Sequence, residues 1–301
     1  MNAAFADPIL ARMLQFAEDA GHLALTLRAD GLTVTNKGGN LGQALTDADL
    51  AISRMLDARF GPRLIEEETA ADLTYADAKR LLAQDEWTFV GDPIDGTKPY
   101  AGGLVGWGTM IAACRCGWPR MSVLSLPAWG EDRSELERRR TADEDRGLLL
   151  AALNGVVYWA PTRGGRRTQA LQPLSRSSRR TGHIGWLAPA ARRYTLDYAQ
   201  GFFPWGEGGA VADAALVATG RLDATVTNHM LWDLAPVLPI LQASGFDLYH
   251  WPDLAEPPAA LIDMFDTRFA SHHDLWLLCR DRGQAAALGR AIELAGPVNV
   301  R

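Results

Sequence analysis

Hydrophobic side chains between residues 8 and 30 recur with a spacing near 3.6, which is typical of one face of an amphipathic helix. Asp7 is suited to the N-cap, Pro8 to the first helical position and Gly31 to the end of this helix. A similar, shorter pattern covers residues 48–60. The chain is therefore predicted to begin with two amphipathic helices.

Short apolar runs bounded by turn residues predict strands further along the chain. These runs comprise residues 63–65, 87–91, 107–114, 120–126, 148–153 and 156–159. Asn154-Gly155, between the last two runs, is the strongest short signal for a β-hairpin. The runs on either side of Gly117 are also predicted to pair antiparallel.

After residue 206 the predicted helices and strands alternate. Helices are expected over 209–220, 232–243 and 284–294, and strands over 222–226 and 275–279. The charged segments 131–146 and 163–180 read as solvated surface loops. Together these elements indicate a mixed α/β (α+β) fold, with an N-terminal half over residues 1–150 and a C-terminal half over residues 151–301.

Composition narrows the class of protein. The 301 residues are 48% hydrophobic, enough for a large buried core. The 36 acidic and 30 basic residues leave a net charge of −6, which argues against nucleic-acid binding. No apolar run is long enough to cross a membrane and no basic leader precedes one, so we expect a soluble, cytoplasmic chain. Cys114 and Cys116, two apart in an apolar run, are predicted to be small buried hydrophobic residues.

Acidic residues lie at the edges of several predicted elements. The acidic segments are Asp47–Asp49, Glu66–Glu68, Asp92–Asp95 and Asp233. Strand ends and helix starts are where α/β folds place ligand-binding side chains. Carboxylates brought together there repel one another unless they are protonated or a cation lies between them. Oxygen ligands without convergent His or Cys favour Mg²⁺, with Mn²⁺ or Ca²⁺ as substitutes.

The hexapeptide Asp92-Pro-Ile-Asp-Gly-Thr97 is the most specific of these segments. Pro93 restricts the backbone between the two acids, so both carboxylates and the Ile94 carbonyl can face one small region. Gly96 allows a phosphate to approach closely, and free N–H groups at Gly96 and Thr97 would bind an anion. The alternative is an ordinary surface turn, since Asp, Pro and Gly are all turn formers.

Three acidic motifs carry a resemblance to a known family. They are Glu67-Glu68-Thr69, Asp92-Pro-Ile-Asp-Gly-Thr97 and Trp232-Asp233-Leu-Ala-Pro236. In this order they resemble the motifs of the inositol monophosphatase superfamily, which includes inositol monophosphatases and histidinol-phosphate phosphatases. Thr46-x-x-Asp49 and Ala218-Thr-Gly-Arg-Leu-Asp223 are similar to two further motifs of that superfamily.

The resemblance implies a layered α-β-α-β-α sandwich of the sugar-phosphatase type, often found as a homodimer. It implies two or three Mg²⁺ ions, with Mn²⁺ as a substitute. The implied metal ligands are Glu67, Asp92, the Ile94 carbonyl, Asp95 and Asp233. Glu67, Thr97 and Asp49 would position and deprotonate the attacking water, and the N–H groups of Gly96 and Thr97 would bind the phosphate.

Several positions depart from the family pattern, and two others are candidates for binding the substrate. Glu66 stands where the family usually has Gly, and the interval from Asp49 to Glu67 is shorter than usual. Thr227 occupies the position of a Glu that recognises sugar hydroxyls in inositol phosphatases. Glu207, in a glycine-rich approach to a helix, and His229, four residues before Asp233, are candidate substrate-binding residues. A structural role for His229 is the alternative.

These features predict a Mg²⁺-dependent phosphomonoesterase that hydrolyses a small polar phosphate, of the inositol-phosphate or histidinol-phosphate type, with metal-activated water. Neither a nucleic acid nor a membrane is an expected partner. Two alternatives stay open within the same superfamily. One is a phosphatase of the 3′-phosphonucleotide or fructose-1,6-bisphosphate type, and the other is a non-catalytic scaffold or metabolite sensor.

Overall fold

The computed structural model describes residues 7–36, 44–130, 146–175, 180–186, 188–206, 208–271 and 274–295. Its helices are α1 (Pro8–Asp30), α2 (Asp47–Phe60), α3 (Tyr75–Ala83), α4 (Thr97–Ala101), α5 (Ala188–Ala191), α6 (Ala210–Ala218), α7 (Leu231–Ala243) and α8 (Arg282–Ala291). Among the described residues, no helix combines the length and the apolar character that crossing a membrane requires.

The strands fall into two large sheets and two small ones. The first ten are β1 (Val34–Asn36), β2 (Ala44–Thr46), β3 (Leu64–Glu66), β4 (Thr88–Asp95), β5 (Gly108–Arg115), β6 (Trp118–Leu126), β7 (Arg146–Leu153), β8 (Val156–Arg163), β9 (Arg166–Arg167) and β10 (Gln172–Pro173). The others are β11 (His183–Trp186), β12 (Tyr194–Leu196), β13 (Phe203–Trp205), β14 (Ala224–Thr227), β15 (Asp247–Trp251), β16 (Leu275–Cys279) and β17 (Ile292–Leu294).

The helix cap predicted at Asp7 is present, and α2 also begins with a cap. The Asp7 carboxylate accepts hydrogen bonds from the backbone N–H groups of Ile9 (2.8 Å) and Leu10 (3.1 Å), which begin α1. Thr46 and Asp49 form a capping box at the start of α2, because each side chain accepts a hydrogen bond from the other's backbone N–H. Such caps satisfy N–H groups that have no partner inside the helix.

The largest sheet has eight strands in the order β10-β8-β7-β6-β5-β4-β3, with β9 paired to β8. Its β3 and β4 are parallel, and the other pairs are antiparallel. The predicted hairpin at Asn154-Gly155 is confirmed, since β7 and β8 flank these two residues and both have positive φ. The five-stranded sheet has the order β13-β11-β14-β16-β15.

The layers stack as the resemblance predicts. Helices α1 and α2 pack on one face of the eight-stranded sheet, and α6 and α7 pack on its other face. Helix α6 also contacts the five-stranded sheet, whose β16 packs against α8. Three hydrophobic clusters fill the spaces between these layers. The fold is therefore the predicted α-β-α-β-α sandwich, while the division near residue 150 stays a prediction.

Four details of the sequence interpretation are wrong. Strand β4 does not stop at Gly91 but continues to Asp95, so its two acids lie within the strand. The last helix ends at Ala291, because residues 292–294 pair with β12. Segment 163–180 is not simply a loop, because β9 and β10 pair with β8.

The fourth correction concerns the cysteine pair. Cys114 is buried in β5 as predicted, but Cys116 is exposed in the turn that follows. Its φ of 51° takes it out of the strand, and its thiol donates a hydrogen bond to Asp85. Most of the predicted loop 131–146 lies outside the described residues, which resume at Arg146 in β7.

Candidate metal centre and active site

Three aspartates from two elements form a compact group. Asp92 and Asp95 belong to β4, and Asp233 lies in the first turn of α7. One carboxylate oxygen from each lies within 4.8 Å of the others. Residues about 140 positions apart in the sequence are thus brought together where α7 packs on the eight-stranded sheet.

The path of β4 explains how two acids on one strand join the same group. The register between β4 and β5 shifts between Asp92 and Asp95, so the strand is irregular there. The Pro93 carbonyl accepts a hydrogen bond from the Thr109 hydroxyl at 2.9 Å, which anchors the irregular segment. Such a bulge re-aims side chains that strict alternation would keep apart.

Backbone N–H groups at the starts of two helices bind the carboxylates of Asp95 and Asp233. The Asp95 carboxylate accepts hydrogen bonds from the backbone N–H groups of Val211 (2.6 Å) and Ala210 at the start of α6. The Asp233 carboxylate accepts one from the Met230 N–H (3.1 Å) at the start of α7. It also shares a hydrogen bond with Asp92. Helix N-termini favour negative charge, so both helices stabilise the acids where they are.

Burial and mutual repulsion raise the pKa of every member of this group. Burial is the largest cause for Asp92, followed by the charges of Glu67, Asp95 and Asp233, and its pKa lies well above the ordinary value. Burial raises the pKa of Asp95 to about 7 despite the N–H groups of α6. Burial and the neighbouring charges of Asp95 and Glu67 also raise the pKa of Asp233.

These residues fit a divalent cation. Asp92 is 2% exposed, and its Oδ1 is buried with no hydrogen-bond partner among the described residues. Glu67 follows β3 and is not a member of the compact group, yet its charge acts on all three aspartates. A cation would satisfy the orphaned oxygen and offset the repulsion. The donors are all carboxylate oxygens, which suits a hard ion such as Mg²⁺.

A hydrogen-bonded chain lies beside the aspartates. The Thr97 hydroxyl lies 3.2 Å from Asp49 Oδ1 and 3.1 Å from the Ile94 carbonyl oxygen. A hydroxyl has one hydrogen, so the two acceptors compete for it. The second oxygen of Asp49 accepts hydrogen bonds from the Thr46 N–H (2.8 Å) and hydroxyl. The short interval between Asp49 and Glu67 therefore does not keep Asp49 from Thr97.

Gly96 is required by the backbone at the turn between β4 and α4. Its φ of 80° lies in the left-handed region, and a Cβ there would lie 2.8 Å from the Gly106 carbonyl oxygen. This turn places the Gly96 and Thr97 N–H groups at the start of α4, beside Asp95. A larger residue would disturb both conformation and packing.

Polar groups at the end of β14 approach the same helix start as Asp233. Thr227 and His229 are buried, and neither Thr227 Oγ1 nor His229 Nε2 has a hydrogen-bond partner among the described residues. Burial lowers the pKa of His229 to about 4, so its ring is neutral at pH 7. Glu207, the other predicted substrate-binding residue, lies outside the described residues.

Two contacts of the site had no counterpart in the sequence interpretation. One is the binding of Asp95 by the start of α6; the paired Gly208-Gly209 before that helix signals a close approach of backbone. A Cβ at Gly209 would lie 2.5 Å from Asp95 Oδ2. The other is a buried contact between Ser53 and Glu66, for which the sequence carries no signal.

Comparisons with known proteins agree with this fold. The model of the inositol monophosphatase family matches residues 6–277. The histidinol-phosphatase of Mycobacterium tuberculosis is 28% identical over 251 residues, covering 78% of this chain and 88% of that protein. The chain belongs to the inositol monophosphatase family and is a phosphatase.

Other proteins that are similar to this chain carry names other than histidinol-phosphatase. A Streptomyces griseus protein named glucose-1-phosphate thymidylyltransferase is 27% identical, with 77% of this chain and 81% of that protein covered. CysQ from Bacteroides thetaiotaomicron has a similar structure, with a TM-score of 0.63, 18% identity and coverage of 90% and 97%. An IMPase/NADP phosphatase complexed with Mg²⁺ and phosphate has a TM-score of 0.59, 14% identity and coverage of 94% and 93%.

Proposed function

We propose that this phosphatase is a Mg²⁺-dependent phosphomonoesterase that hydrolyses a small polar phosphate. The observation that carries the proposal is the buried group of Asp92, Asp95 and Asp233, whose oxygens lie within 4.8 Å of one another. Such a group is unfavourable without a cation. A non-catalytic scaffold or sensor would have no use for it, so catalysis is the better explanation.

The proposed metal ligands are Glu67, Asp92, the Ile94 carbonyl, Asp95 and Asp233. Two or three Mg²⁺ ions would suit this number of oxygens, with Mn²⁺ as a substitute. When bound, Mg²⁺ would neutralise the charge of the phosphate and lower the pKa of a water molecule. The raised pKa values of Asp92, Asp95 and Asp233 imply that the metal-free site takes up protons, which metal binding would release.

Thr97 is proposed to position the attacking water. Its hydroxyl can donate to Asp49 at 3.2 Å, which leaves the oxygen of Thr97 able to accept a hydrogen bond from the water. Asp49 thereby orients the Thr97 oxygen that accepts from the water. Glu67 is proposed to take up the proton that the water loses. In this proposal Glu67 is the general base, and Thr97 and Asp49 hold the water in place.

Phosphate and substrate contacts are proposed at the edges of the same site. The N–H groups of Gly96 and Thr97 would bind the phosphate oxygens. His229 would contact the leaving group, and its pKa of about 4 makes the ring a neutral partner at pH 7. Glu207 is proposed as a second substrate-binding residue on the sequence alone.

Histidinol phosphate is the substrate that we propose first. The Mycobacterium tuberculosis relative bears the name histidinol-phosphatase, and Thr227 stands where inositol phosphatases use a Glu. Phosphatases of the inositol-phosphate, 3′-phosphonucleotide or fructose-1,6-bisphosphate type are the alternatives. A homodimer is proposed from the family resemblance.

A panel of phosphates tests this function. Released phosphate is measured with Mg²⁺ for histidinol phosphate, inositol 1-phosphate, fructose 1,6-bisphosphate, 3′-phosphoadenosine 5′-phosphate, NADP and glucose 1-phosphate. We expect hydrolysis of at least one, greatest for histidinol phosphate, and loss of that activity in a chelator with recovery on adding Mg²⁺. Hydrolysis that persists without divalent metal would contradict the proposed mechanism, and no hydrolysis of any would favour the scaffold or sensor.

Gly209→Ala tests the support of Asp95 by α6. The new Cβ would lie 2.5 Å from Asp95 Oδ2, so the carboxylate must move. Because a displacement of about 1 Å at a catalytic centre can reduce rates on the order of 100-fold, we expect a comparable loss of kcat/KM. Steady-state kinetics with saturating Mg²⁺ measure it.

Gly289→Ala in α8 is the matched control. A Cβ there meets its nearest neighbour, in Trp251, at 3.4 Å, an ordinary contact. Alanine is also the better helix former, so we expect unchanged activity and equal or slightly higher stability. Equal kinetics for the two variants would show that the position of Asp95 does not govern activity.

A further inference from the structure

The buried carboxylate of Glu66 ties two parts of the site together. We propose that Glu66 is a positioning residue, which holds the turn carrying Glu67 against helix α2 and thereby sets metal affinity. The inference rests on the proposed function, because it concerns the metal ligands named there. Glu66 itself is not a member of the compact group of Asp92, Asp95 and Asp233.

Glu66 is fully buried and both of its carboxylate oxygens are engaged. Its exposure is 0%. Oε1 accepts a hydrogen bond from the Ser53 hydroxyl at 2.9 Å, and Oε2 accepts one from the Glu68 N–H at 2.9 Å. A buried carboxylate is unfavourable unless hydrogen bonds compensate for lost water, and these two contacts provide that compensation.

The first contact reaches the helix that carries Asp49. Ser53 is 7% exposed and lies four residues after Asp49 in α2, so both side chains lie on one face of the helix. Asp49 accepts the hydrogen bond from Thr97. The contact between Ser53 and Glu66 therefore fixes this face of α2 relative to the end of β3.

The second contact closes the turn around Glu67. The Glu66 side chain accepts from the backbone two residues on, which restrains the residue between them. The backbone of Glu66 pairs with Gly91 in β4, one residue before Asp92. The side chain of Glu66 thus links the segments that carry Asp49 and Glu67, while its backbone joins them to the strand that carries Asp92.

Residues that support metal ligands commonly contribute about 10–100-fold to metal affinity. Mn²⁺ binding to the folded protein, measured by titration calorimetry, tests whether the contact of Glu66 does so. Ser53→Ala breaks the contact and leaves the charge of Glu66, and we expect the Kd to rise about tenfold. Glu66→Ala should have an effect of at least that size.

The Glu66→Gln variant distinguishes the effect of the hydrogen bonds of Glu66 from the effect of its negative charge. Its amide oxygen can accept from the Glu68 N–H while its NH₂ donates to the Ser53 oxygen, so the contacts survive without the charge. We expect a Kd within about threefold of wild type. Combining Ser53→Ala with Glu66→Ala should add little to the single Glu66→Ala change, because both remove one interaction.

Ser244→Ala is the matched control. Ser244 is 6% exposed and donates a 2.8 Å hydrogen bond to the Ile240 carbonyl, at the end of α7 remote from Asp233. It should lower the melting temperature about as much as Ser53→Ala while leaving the Kd unchanged.

Wild-type Mn²⁺ affinity in Ser53→Ala, or a large loss in Glu66→Gln without one in Ser53→Ala, would overturn the positioning role. A wild-type protein that binds no Mn²⁺ would instead contradict the proposed function itself. The two failures are therefore distinguished by the wild-type titration, which is measured first.

Discussion

Asp92→Asn is expected to reduce Mg²⁺-dependent kcat by more than about 100-fold, beyond the loss usually caused by residues that only support a metal ligand. Asn keeps the shape of the side chain but removes the charge at the most buried of the clustered acids. Its NH₂ group can donate to Asp233, which already shares a hydrogen bond with Asp92. We expect the variant to remain folded, so the loss of activity will not be due to unfolding.

Kinetics and circular dichroism measure the two effects of Asp92→Asn. In a chelator the variant should be at least as stable as wild type, because one carboxylate is removed from a group whose members repel one another. Asp85→Asn is the control, since Asp85 lies on the surface in an ion pair with Arg115. Near wild-type activity of Asp92→Asn would contradict the assignment of Asp92 as a metal ligand.

The second large effect concerns pH. Without metal, the free energy of unfolding is expected to fall as the pH rises from 6.5 to about 8. The pKa of Asp95 is about 7 in the folded protein against an ordinary value of 3.8. Below pH 3.8 Asp95 is protonated in both states. Between pH 3.8 and 7 the unfolded chain loses this proton while the folded protein keeps it, so the free energy of unfolding falls over that range and levels off above pH 7. At about 1.4 kcal/mol for each pKa unit, the whole loss due to Asp95 is on the order of 4 kcal/mol, of which roughly 1 kcal/mol falls above pH 6.5.

His229 has the opposite effect, and it acts between pH 4 and 6.5. Its pKa is about 4 when folded against 6.5 as the ordinary value, so the unfolded chain binds the extra proton between these limits. Its contribution to stability is therefore complete above pH 6.5 and is lost as the pH falls towards 4. Above pH 6.5 the opposing effect of His229 is absent, so the effect of the buried acids is measured there.

Urea denaturation at several pH values, with chelator or with saturating Mg²⁺, tests the pH prediction. Bound Mg²⁺ should oppose the repulsion, so the stabilisation by metal should increase with pH. Asp95→Asn should flatten the dependence in chelator, because the group with the pKa near 7 is gone. A metal-free stability that stays constant or rises between pH 6.5 and 8 would contradict the assignment of the buried charges.

Much of the candidate site could be predicted because its signals are local. Asp92, Asp95 and Gly96 lie within one short segment whose residue types restrict the backbone. Asp233 belongs to a separate motif, and its place beside Asp92 followed from the resemblance. The contact between Asp49 and Thr97 likewise agrees with an expectation that local spacing could not have supplied.

The direction of Glu66 could not be predicted. From the sequence, an additional acid beside Glu67 could face solvent or the metal site. It faces Ser53 because α2 packs against β3 and β4, and a buried carboxylate requires hydrogen bonds from whatever lies nearest. The same reasoning applies to Asp95, whose partners in α6 are more than a hundred residues away.

By itself, the sequence determined the starts of α1 and α2, the hairpin at Asn154-Gly155 and the motifs of the family, since caps, turns and short motifs depend on neighbouring residues. Only the tertiary structure decided that β4 continues to Asp95, that residues 292–294 leave the last helix and that Glu66 turns to Ser53. Each of these outcomes depends on pairing or burial between distant segments, and such contacts override local preference.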